Sequence, residues 1–238
     1  MIYLRRAADR GLANFGWLNS HHSFSFGHYY DPQHMGWGLL RVINDDTVDP
    51  AAGFDPHGHR DMEIISYVLQ GALHHKDSTG RESVLRAGEV QRMTAGSGIV
   101  HSEYNHSSEQ PVHFLQIWIR PASNGLEPGY EQKVVPQQGS LTALVSHDQR
   151  GESLKIHQDV VLSRLQLEAG ESRPLAISQR AGYLHLIEGE LEVAVDDNDK
   201  LTLTAGDALG VNQQKQLQVS AHKPVTALWF DLPVFAQR

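Results

Sequence analysis

Tyr67-Val-Leu-Gln-Gly71, followed by Arg86-Ala-Gly-Glu89, is the first of two copies of a pattern that determines the architecture of this chain. The second copy is His185-Leu-Ile-Glu-Gly189, followed by Thr204-Ala-Gly-Asp207. In each copy an apolar strand ends at a glycine turn, and an Ala-Gly-acid turn leads into a further strand. The two turn glycines are separated by the same number of residues in both copies. This matched spacing favours an internal duplication over two unrelated glycine turns.

Around these copies, short apolar runs rich in β-branched and aromatic residues recur between Gly, Pro, Asn and Asp. Several alternate polar and apolar residues, as in residues 191–195 and 201–204. Alternation with a period of two between regular turns is typical of an all-β sandwich or barrel. A short helical turn is expected only near residues 7–13 or 146–149, and a linker around residues 121–151. Strands are expected at residues 39–43, 63–69, 113–119, 160–167, 183–187, 191–195 and 227–232.

The composition limits the classes of protein to which the chain can belong. Its 238 residues, 40% of them hydrophobic, suffice for one large or two small domains. The formal net charge of -8 argues against a broad nucleic-acid-binding surface. The lack of cysteine excludes disulfides, zinc–thiolate sites, iron–sulfur clusters and thiol nucleophiles, and it fits a reducing cytosol.

Targeting signals are not apparent in the sequence. Residues 1–11 turn charged early and contain no apolar core of the kind found in secretory signals. No run approaches the roughly 18 apolar residues that a membrane helix requires. We therefore expect a cytoplasmic protein with no membrane and no nucleic-acid partner.

Histidines at regular spacing mark a candidate metal site. In the stretch from Gly53 to Glu63, His57 and His59 lie two residues apart, and His101-Ser-Glu103 repeats this spacing. Residues two apart on a strand point to the same side, so each pair can aim into one interior. Solvated surface histidines explain a single His-x-His well, but two such pairs between glycine turns favour a metal. Three imidazoles and one carboxylate suit iron, nickel, cobalt, manganese, copper or zinc, and leave room for water or substrate.

Glu63 is a fifth candidate ligand. It lies an even number of residues from His57 and His59, so in a continuous strand it would share their side. The alternative, which we favour, is that Glu63 is buried beside the ligands and forms hydrogen bonds there without binding the metal. The second copy of the repeat contains no His-x-His and no His-x-Glu pair. Its half of the chain is therefore expected to be structural, with His157, His185 and His222 in packing or surface roles.

Two longer motifs resemble a known family. Gly53-x3-His57-x-His59-x3-Glu63-x7-Gly71 resembles the first cupin motif, and Gly88-x5-Thr94-x-Gly96-x4-His101-x3-Asn105 resembles the second. Both depart from the general cupin spacing, and the departures match the pirin family. The likeness is strong from about residue 3 to 132. Pirin-like segments include His22-Ser-Phe-Ser-Phe-Gly27, Tyr30-Asp-Pro32, Leu40-Arg-Val-Ile-Asn-Asp-Asp46, Met93-Thr-Ala-Gly-Ser-Gly-Ile-Val-His-Ser-Glu103 and Gln116-Ile-Trp-Ile119.

The resemblance implies an all-β bicupin, with two antiparallel jelly-roll β-barrel domains in tandem. Residues 1–132 would form the domain with the metal site, and residues 133–238 a degenerate domain without ligands. Carried onto this sequence, the pirin ligands are His57, His59, His101 and Glu103. In other cupins the glutamate of the first motif is a ligand, which would point to Glu63. The presence of Glu103 favours the pirin set.

The resemblance also implies an activity. Bacterial pirins are associated with metal-dependent dioxygenases that cleave flavonols such as quercetin at the 2,3-position and release carbon monoxide. Glu103 would be the catalytic residue that takes the substrate proton. We expect one divalent metal, Fe(II) first, then Ni, Co, Mn, Cu or Zn, with a small aromatic or enol substrate and dioxygen, in a monomer. The alternative is a non-catalytic, redox-sensing interaction or regulatory protein, as eukaryotic pirins are.

Overall fold

The computed structural model describes residues 1–177, 179–196 and 200–235, and β-strands dominate these ranges. A single-turn 3-10 helix, Ala7–Asp9, follows the first strand, at the first of the two expected positions. No helix in the described ranges is long and apolar enough to cross a membrane. The strands of the first half are β1 (Ile2–Arg5), β2 (Gly11–Asn14), β3 (Leu18–His22), β4 (Leu40–Val48), β5 (Gly53–His59), β6 (Glu63–Gln70), β7 (Ala72–Asp77), β8 (Glu82–Arg86), β9 (Glu89–Thr94), β10 (Ile99–Asn105), β11 (Val112–Ile119) and β12 (Gly129–Val134).

The second half repeats this all-strand composition. Each range expected from the alternation pattern lies in a strand or overlaps one, which confirms the all-β prediction. The strands are β13 (Leu141–Ser146), β14 (Leu154–Lys155), β15 (Val161–Leu167), β16 (Ser172–Ala176), β17 (Arg180–Glu188), β18 (Glu190–Val195), β19 (Leu201–Thr204), β20 (Ala208–Asn212), β21 (Gln216–Ala221) and β22 (Val225–Pro233).

The first half is a sandwich of two sheets. A seven-stranded sheet, in the order β12-β9-β6-β11-β4-β3-β2, lies over a four-stranded sheet, β5-β10-β7-β8. Apolar side chains of both sheets form one core, among them Val68 and Phe114 from the large sheet and Leu73 and Leu85 from the small one. The two sheets pack as a jelly-roll, the cupin architecture that we expected, without joining into one closed barrel.

The second half has the same two-sheet arrangement. Its seven-stranded sheet, β1-β20-β17-β22-β15-β13-β14, packs on the four-stranded sheet β16-β21-β18-β19. The first strand of the chain belongs to this sheet, where Tyr3 pairs with Gly210. The expected linker over residues 121–151 is wrong in extent, because β12 and β13 lie inside it. The expected boundary between residues 132 and 133 falls within β12, and residues 236–238 lie outside the described ranges.

The two large sheets pack against each other. Their shared core contains Ile43 and Ile117 from the first half and Leu162 and Phe230 from the second. Each fully buried side chain of this size contributes about 1.5–3 kcal/mol relative to an exposed one. The core therefore joins the halves into four layers of sheet.

The repeat seen in the sequence has a matching geometry. The backbone N–H of Gly88 donates to the carbonyl of Val68 (3.1 Å), and that of Gly206 donates to the carbonyl of Leu186 (2.8 Å). The turn after each preceding strand is a glycine with positive φ, 79° at Gly71 and 91° at Gly189. A Cβ at Gly71 or Gly189 would lie 2.8 or 2.6 Å from a proline carbonyl oxygen, so only glycine fits. These equivalent contacts confirm the predicted duplication.

Candidate metal centre

Strands β5 and β10 bring three predicted ligands together. The two strands are antiparallel neighbours, and His101 pairs directly with His57. His59 lies two residues along β5, so its side chain projects to the same side as that of His57. One ligand nitrogen from each of the three histidines lies within 4.8 Å of the others. The strand pairing thus places three imidazoles around one point.

The tautomer of His57 follows from its neighbour. Its Nδ1 lies 2.7 Å from the backbone carbonyl oxygen of Asp55. A carbonyl only accepts, so Nδ1 carries the proton and the lone pair lies on Nε2. This Nε2 is 3.1 Å from Nε2 of His101, so the two nitrogens must share either a proton or a cation. A divalent cation fits this arrangement, because neutral imidazole nitrogens are its preferred ligands.

The surroundings favour the neutral, metal-binding form of the imidazoles. Burial, and then the proximity of His57, lower the pKa of His59 to about 4. Burial, followed by His57 and His59, lowers the pKa of His101 to about 2. Metal binding requires unprotonated imidazole, and His59 and His101 meet this requirement near neutral pH.

The fourth predicted ligand, Glu103, is buried two residues beyond His101 on β10. Its carboxylate accepts hydrogen bonds from Gln116 Nε2 (2.8 Å) and, at 3.4 Å, from Ser66 Oγ. A carboxylate oxygen of Glu103 lies within 4.8 Å of ligand nitrogens of His101 and His75. It does not lie within that distance of all three histidines of the β5–β10 cluster. Burial, and then the nearby Asp46, raise the pKa of Glu103 to about 7. It is thus placed beside the cluster and suited to exchange a proton near neutral pH.

The expectation that the side chain of Glu63 lies on the same side as those of His57 and His59 is wrong. Strand β5 ends at His59, Asp61 has a left-handed φ of 51°, and Glu63 begins β6. Side-chain alternation holds within a strand and does not continue across such a turn. Glu63 and Ser66 lie on opposite sides of β6, since Ser66 reaches Glu103 while Glu63 Oε1 lies 3.5 Å from His157 Nδ1. The fold therefore places Glu63 toward the second half.

Two buried residues of β7 were not predicted from the sequence. His75 Nε2 lies 2.9 Å from Asp77 Oδ2, and His75 Nδ1 lies 3.4 Å from His101 Nδ1. Strand β7 is the second neighbour of β10, with Glu103 paired to His75. The signal was available, because His75-Lys-Asp77 has the same two-residue spacing as the two predicted pairs. What was missing was the knowledge that β7 adjoins β10.

An open cleft lies beside His59, one of the three clustered histidines. It has a volume of about 380 Å³ and is lined in part by His59, Arg60 and Ile99. Trp118 packs edge-to-face on His59, with 5.0 Å between ring centroids. The indole Nε1 of Trp118 is buried and has no hydrogen-bond partner within the described part of the chain. The cleft thus offers a cationic side chain and one imidazole of the cluster, and Trp118 lies in contact with that imidazole.

Two tandem jelly-roll sandwiches with a histidine cluster on paired strands of the first define a metal-binding bicupin. The pirin family model matches residues 5–119, and the model described as quercetinase C-terminal cupin domain matches residues 143–232. The chain is 42% identical over 234 residues to quercetin 2,3-dioxygenase of Escherichia coli K12, covering 98% of this chain and 99% of that protein. The chain belongs to the pirin family.

Solved structures agree with this assignment. The crystal structure of YhhW from Escherichia coli superposes with a TM-score of 0.94 at 42% identity, over 100% of both chains. A second structure, of bacterial pirin YhhW in complex with nickel(II), gives a TM-score of 0.93 at the same identity and covers 99% of this chain and 100% of that chain. The family, the all-β bicupin fold and the presence of a metal in a similar protein therefore agree with the expectations from sequence.

Proposed function

We propose that this chain is a metal-dependent dioxygenase that cleaves flavonols such as quercetin at the 2,3-position and releases carbon monoxide. One divalent metal would be held by His57, His59, His101 and Glu103. The observation that carries the proposal is the convergence of three imidazoles from the paired strands β5 and β10. The identity to the Escherichia coli quercetin 2,3-dioxygenase, 42% over 98% of this chain, supports the activity.

The residues of the site have distinct roles in this reaction. A bound divalent metal would lower the pKa of the flavonol 3-hydroxyl and supply a positive charge for its anion. Glu103, which accepts a hydrogen bond from Gln116, would take the hydroxyl proton when its bond to the metal loosens. Trp118 provides an apolar face beside His59 for the aromatic substrate. In the net reaction both atoms of dioxygen enter the ring-opened product, and one ring carbon leaves as carbon monoxide.

Fe(II) is the metal that we propose first, with nickel next. Nickel gains support from the Escherichia coli pirin structure, which contains nickel(II). The affinity order of divalent metals makes cellular supply as important as ligand type. We also propose that the protein is a monomer in the cytoplasm and has no nucleic-acid partner. The net charge of -8 supports the last of these, because it disfavours binding to a polyanion.

Oxygen uptake and carbon monoxide release test the activity. Protein loaded separately with Fe(II), Ni(II) and Cu(II) is incubated in air with quercetin, and both gases are measured. We expect one carbon monoxide released for each dioxygen consumed. An absence of turnover with every metal, while each metal stays bound at one per chain, would contradict the proposal.

The enzymatic interpretation is favoured over a redox-sensing interaction protein. Two relatives at 42% identity, each covering 98% of this chain, carry the name quercetin 2,3-dioxygenase. The open cleft beside His59 also leaves room for a substrate, which a metal with a purely regulatory role does not need.

A further inference from the structure

We propose that His75 and Asp77 are positioning residues that hold His101 in the one tautomer whose Nε2 lone pair faces His57. The proposal rests on the metal site of the proposed function and adds two residues outside the predicted ligand set. It follows from the donors and acceptors along a single chain of contacts from Asp77 to His101.

The chain of contacts starts at a carboxylate that is itself firmly held. Oδ1 of Asp77 accepts hydrogen bonds from the backbone N–H of Thr79 (2.9 Å), from the Thr79 hydroxyl (2.5 Å) and from the backbone N–H of Arg81 (3.3 Å). Three donors on one oxygen stabilise the ionised carboxylate and fix its orientation. An ionised carboxylate has no proton to give, so Oδ2 acts only as an acceptor.

The acceptor on Asp77 determines the tautomer of His75. Nε2 of His75 lies 2.9 Å from Asp77 Oδ2, so Nε2 must carry the proton. In a neutral imidazole the other nitrogen, Nδ1, is then an acceptor. The ring of His75 is fully buried and lies against the ring of Tyr130, with 4.8 Å between centroids. This packing keeps the acceptor directed at its neighbour on β10.

The acceptor on His75 determines the tautomer of His101. Its Nδ1 lies 3.4 Å from His75 Nδ1, so His101 must donate there, which leaves the lone pair on its Nε2. The carbonyl of Asp55 imposes the corresponding tautomer on His57. Two separate acceptors therefore direct two lone pairs at each other across 3.1 Å. A shared proton or a metal cation relieves that repulsion, and the two converging lone pairs prearrange the site for a metal.

The same tautomers exclude a competing site. His75, His101 and Glu103 also bring ligand atoms within 4.8 Å of one another and look like a second metal group. The two imidazole nitrogens that face each other, Nδ1 of His75 and Nδ1 of His101, are both occupied by their mutual hydrogen bond. The group is thus a hydrogen-bonded support for the β5–β10 cluster and not a second metal centre.

The first test is nuclear magnetic resonance of the metal-free wild-type protein at pH 8, where the imidazoles are neutral. Long-range proton–nitrogen spectra identify which ring nitrogen carries the proton, and the His101 signals are assigned by their loss in His101→Gln. We expect the proton on Nδ1 of His101 and on Nε2 of His75. A proton on Nε2 of His101 would overturn the proposal.

The second test measures the dissociation constant of Ni(II) in competition with a chromophoric chelator. His75→Leu removes the acceptor and should weaken Ni(II) binding about 10- to 100-fold. His75→Gln offers one amide donor to Asp77 and one carbonyl acceptor to His101, and should retain most of the affinity. His74→Gln is the matched control, because His74 lies on the opposite face of β7 against Glu82.

The outcomes separate this proposal from the proposed function. Wild-type affinity in His75→Leu, or equal loss in His75→Gln and His75→Leu, would overturn the positioning role even if quercetin turnover is intact. The tautomer expected for His101, together with weakened Ni(II) binding in His75→Leu and rescue in His75→Gln, would support the positioning role even if no flavonol is cleaved. A melting temperature recorded for each variant confirms that it is folded.

Discussion

The Nε2 atoms of His57 and His101 lie 3.1 Å apart, at directly paired positions of β5 and β10. Both rings are held by neighbouring groups, His57 by the carbonyl of Asp55 and His101 by His75. If the two imidazoles hold the proposed metal, removal of either one removes a ligand.

We expect His57→Ala and His101→Ala each to lower the amount of bound metal by more than about tenfold. Loss of a ligand should reduce metal affinity at least as much as loss of a residue that supports a ligand. Metal content per chain is measured by plasma mass spectrometry after dialysis. His222→Ala, at an exposed position of the second half, is the control. Unchanged metal content in both site variants would refute the assignment.

Glu103 and Glu63 are distinguished by a matched pair of substitutions. Glu103→Gln keeps an oxygen that can accept from Gln116 but cannot take a proton, so kcat for quercetin should fall about 10²- to 10⁴-fold. Glu63→Gln changes a carboxylate on the far side of β6 and should leave metal content and kcat nearly unchanged. Steady-state oxygen uptake and metal analysis of both proteins check this. The reverse pattern would make Glu63 the functional carboxylate.

The stability of the protein should depend on pH through His185. This residue is 1% exposed, and burial followed by Arg10 lowers its pKa to about 4. His185 takes up a proton near pH 6.5 in the unfolded chain and only near pH 4 in the folded chain. Neutral His185 therefore contributes fully to the free energy of unfolding above pH 6.5, and this contribution is lost as the pH falls toward 4. The loss at pH 5 is about 2 kcal/mol.

Urea unfolding of wild type and His185→Gln at pH 7.5 and pH 5 measures this contribution. The wild type should lose more free energy of unfolding than the variant by about 2 kcal/mol. Both proteins are kept free of metal, so that the other buried histidines contribute equally and cancel. Equal losses in the two proteins would show that His185 does not titrate as described.

The core between the two large sheets predicts the fate of the isolated first half. Removing residues 135–238 exposes Ile43 and Ile117 and leaves β1 without its partner β20. We expect this fragment to aggregate and to bind a hydrophobic dye, because large exposed apolar patches promote association. Light scattering after size-exclusion chromatography measures this. A monodisperse fragment that binds one metal would contradict it.

Much of the candidate site was accessible from the sequence because strand geometry is local. In any strand, side chains two apart share a side, so His57-x-His59 and His101-x-Glu103 were recognisable as inward pairs without knowledge of the fold. The same rule failed for Glu63, because the chain turns at Asp61 and the alternation restarts in β6. A local rule is valid only as far as the local structure continues.

The sequence by itself determined the all-strand composition, the repeated glycine turns and the inward pairs of the first half. These follow from side-chain alternation and from the backbone freedom of glycine, which act over a few residues. Only the tertiary structure decided that β10 lies between β5 and β7, which places His75 and Asp77 behind His101. It also decided that β1 completes the sheet of the second half and that the two large sheets share a core. Strand neighbours distant in sequence are selected by the burial of whole sheet faces, and no short stretch of the chain encodes that choice.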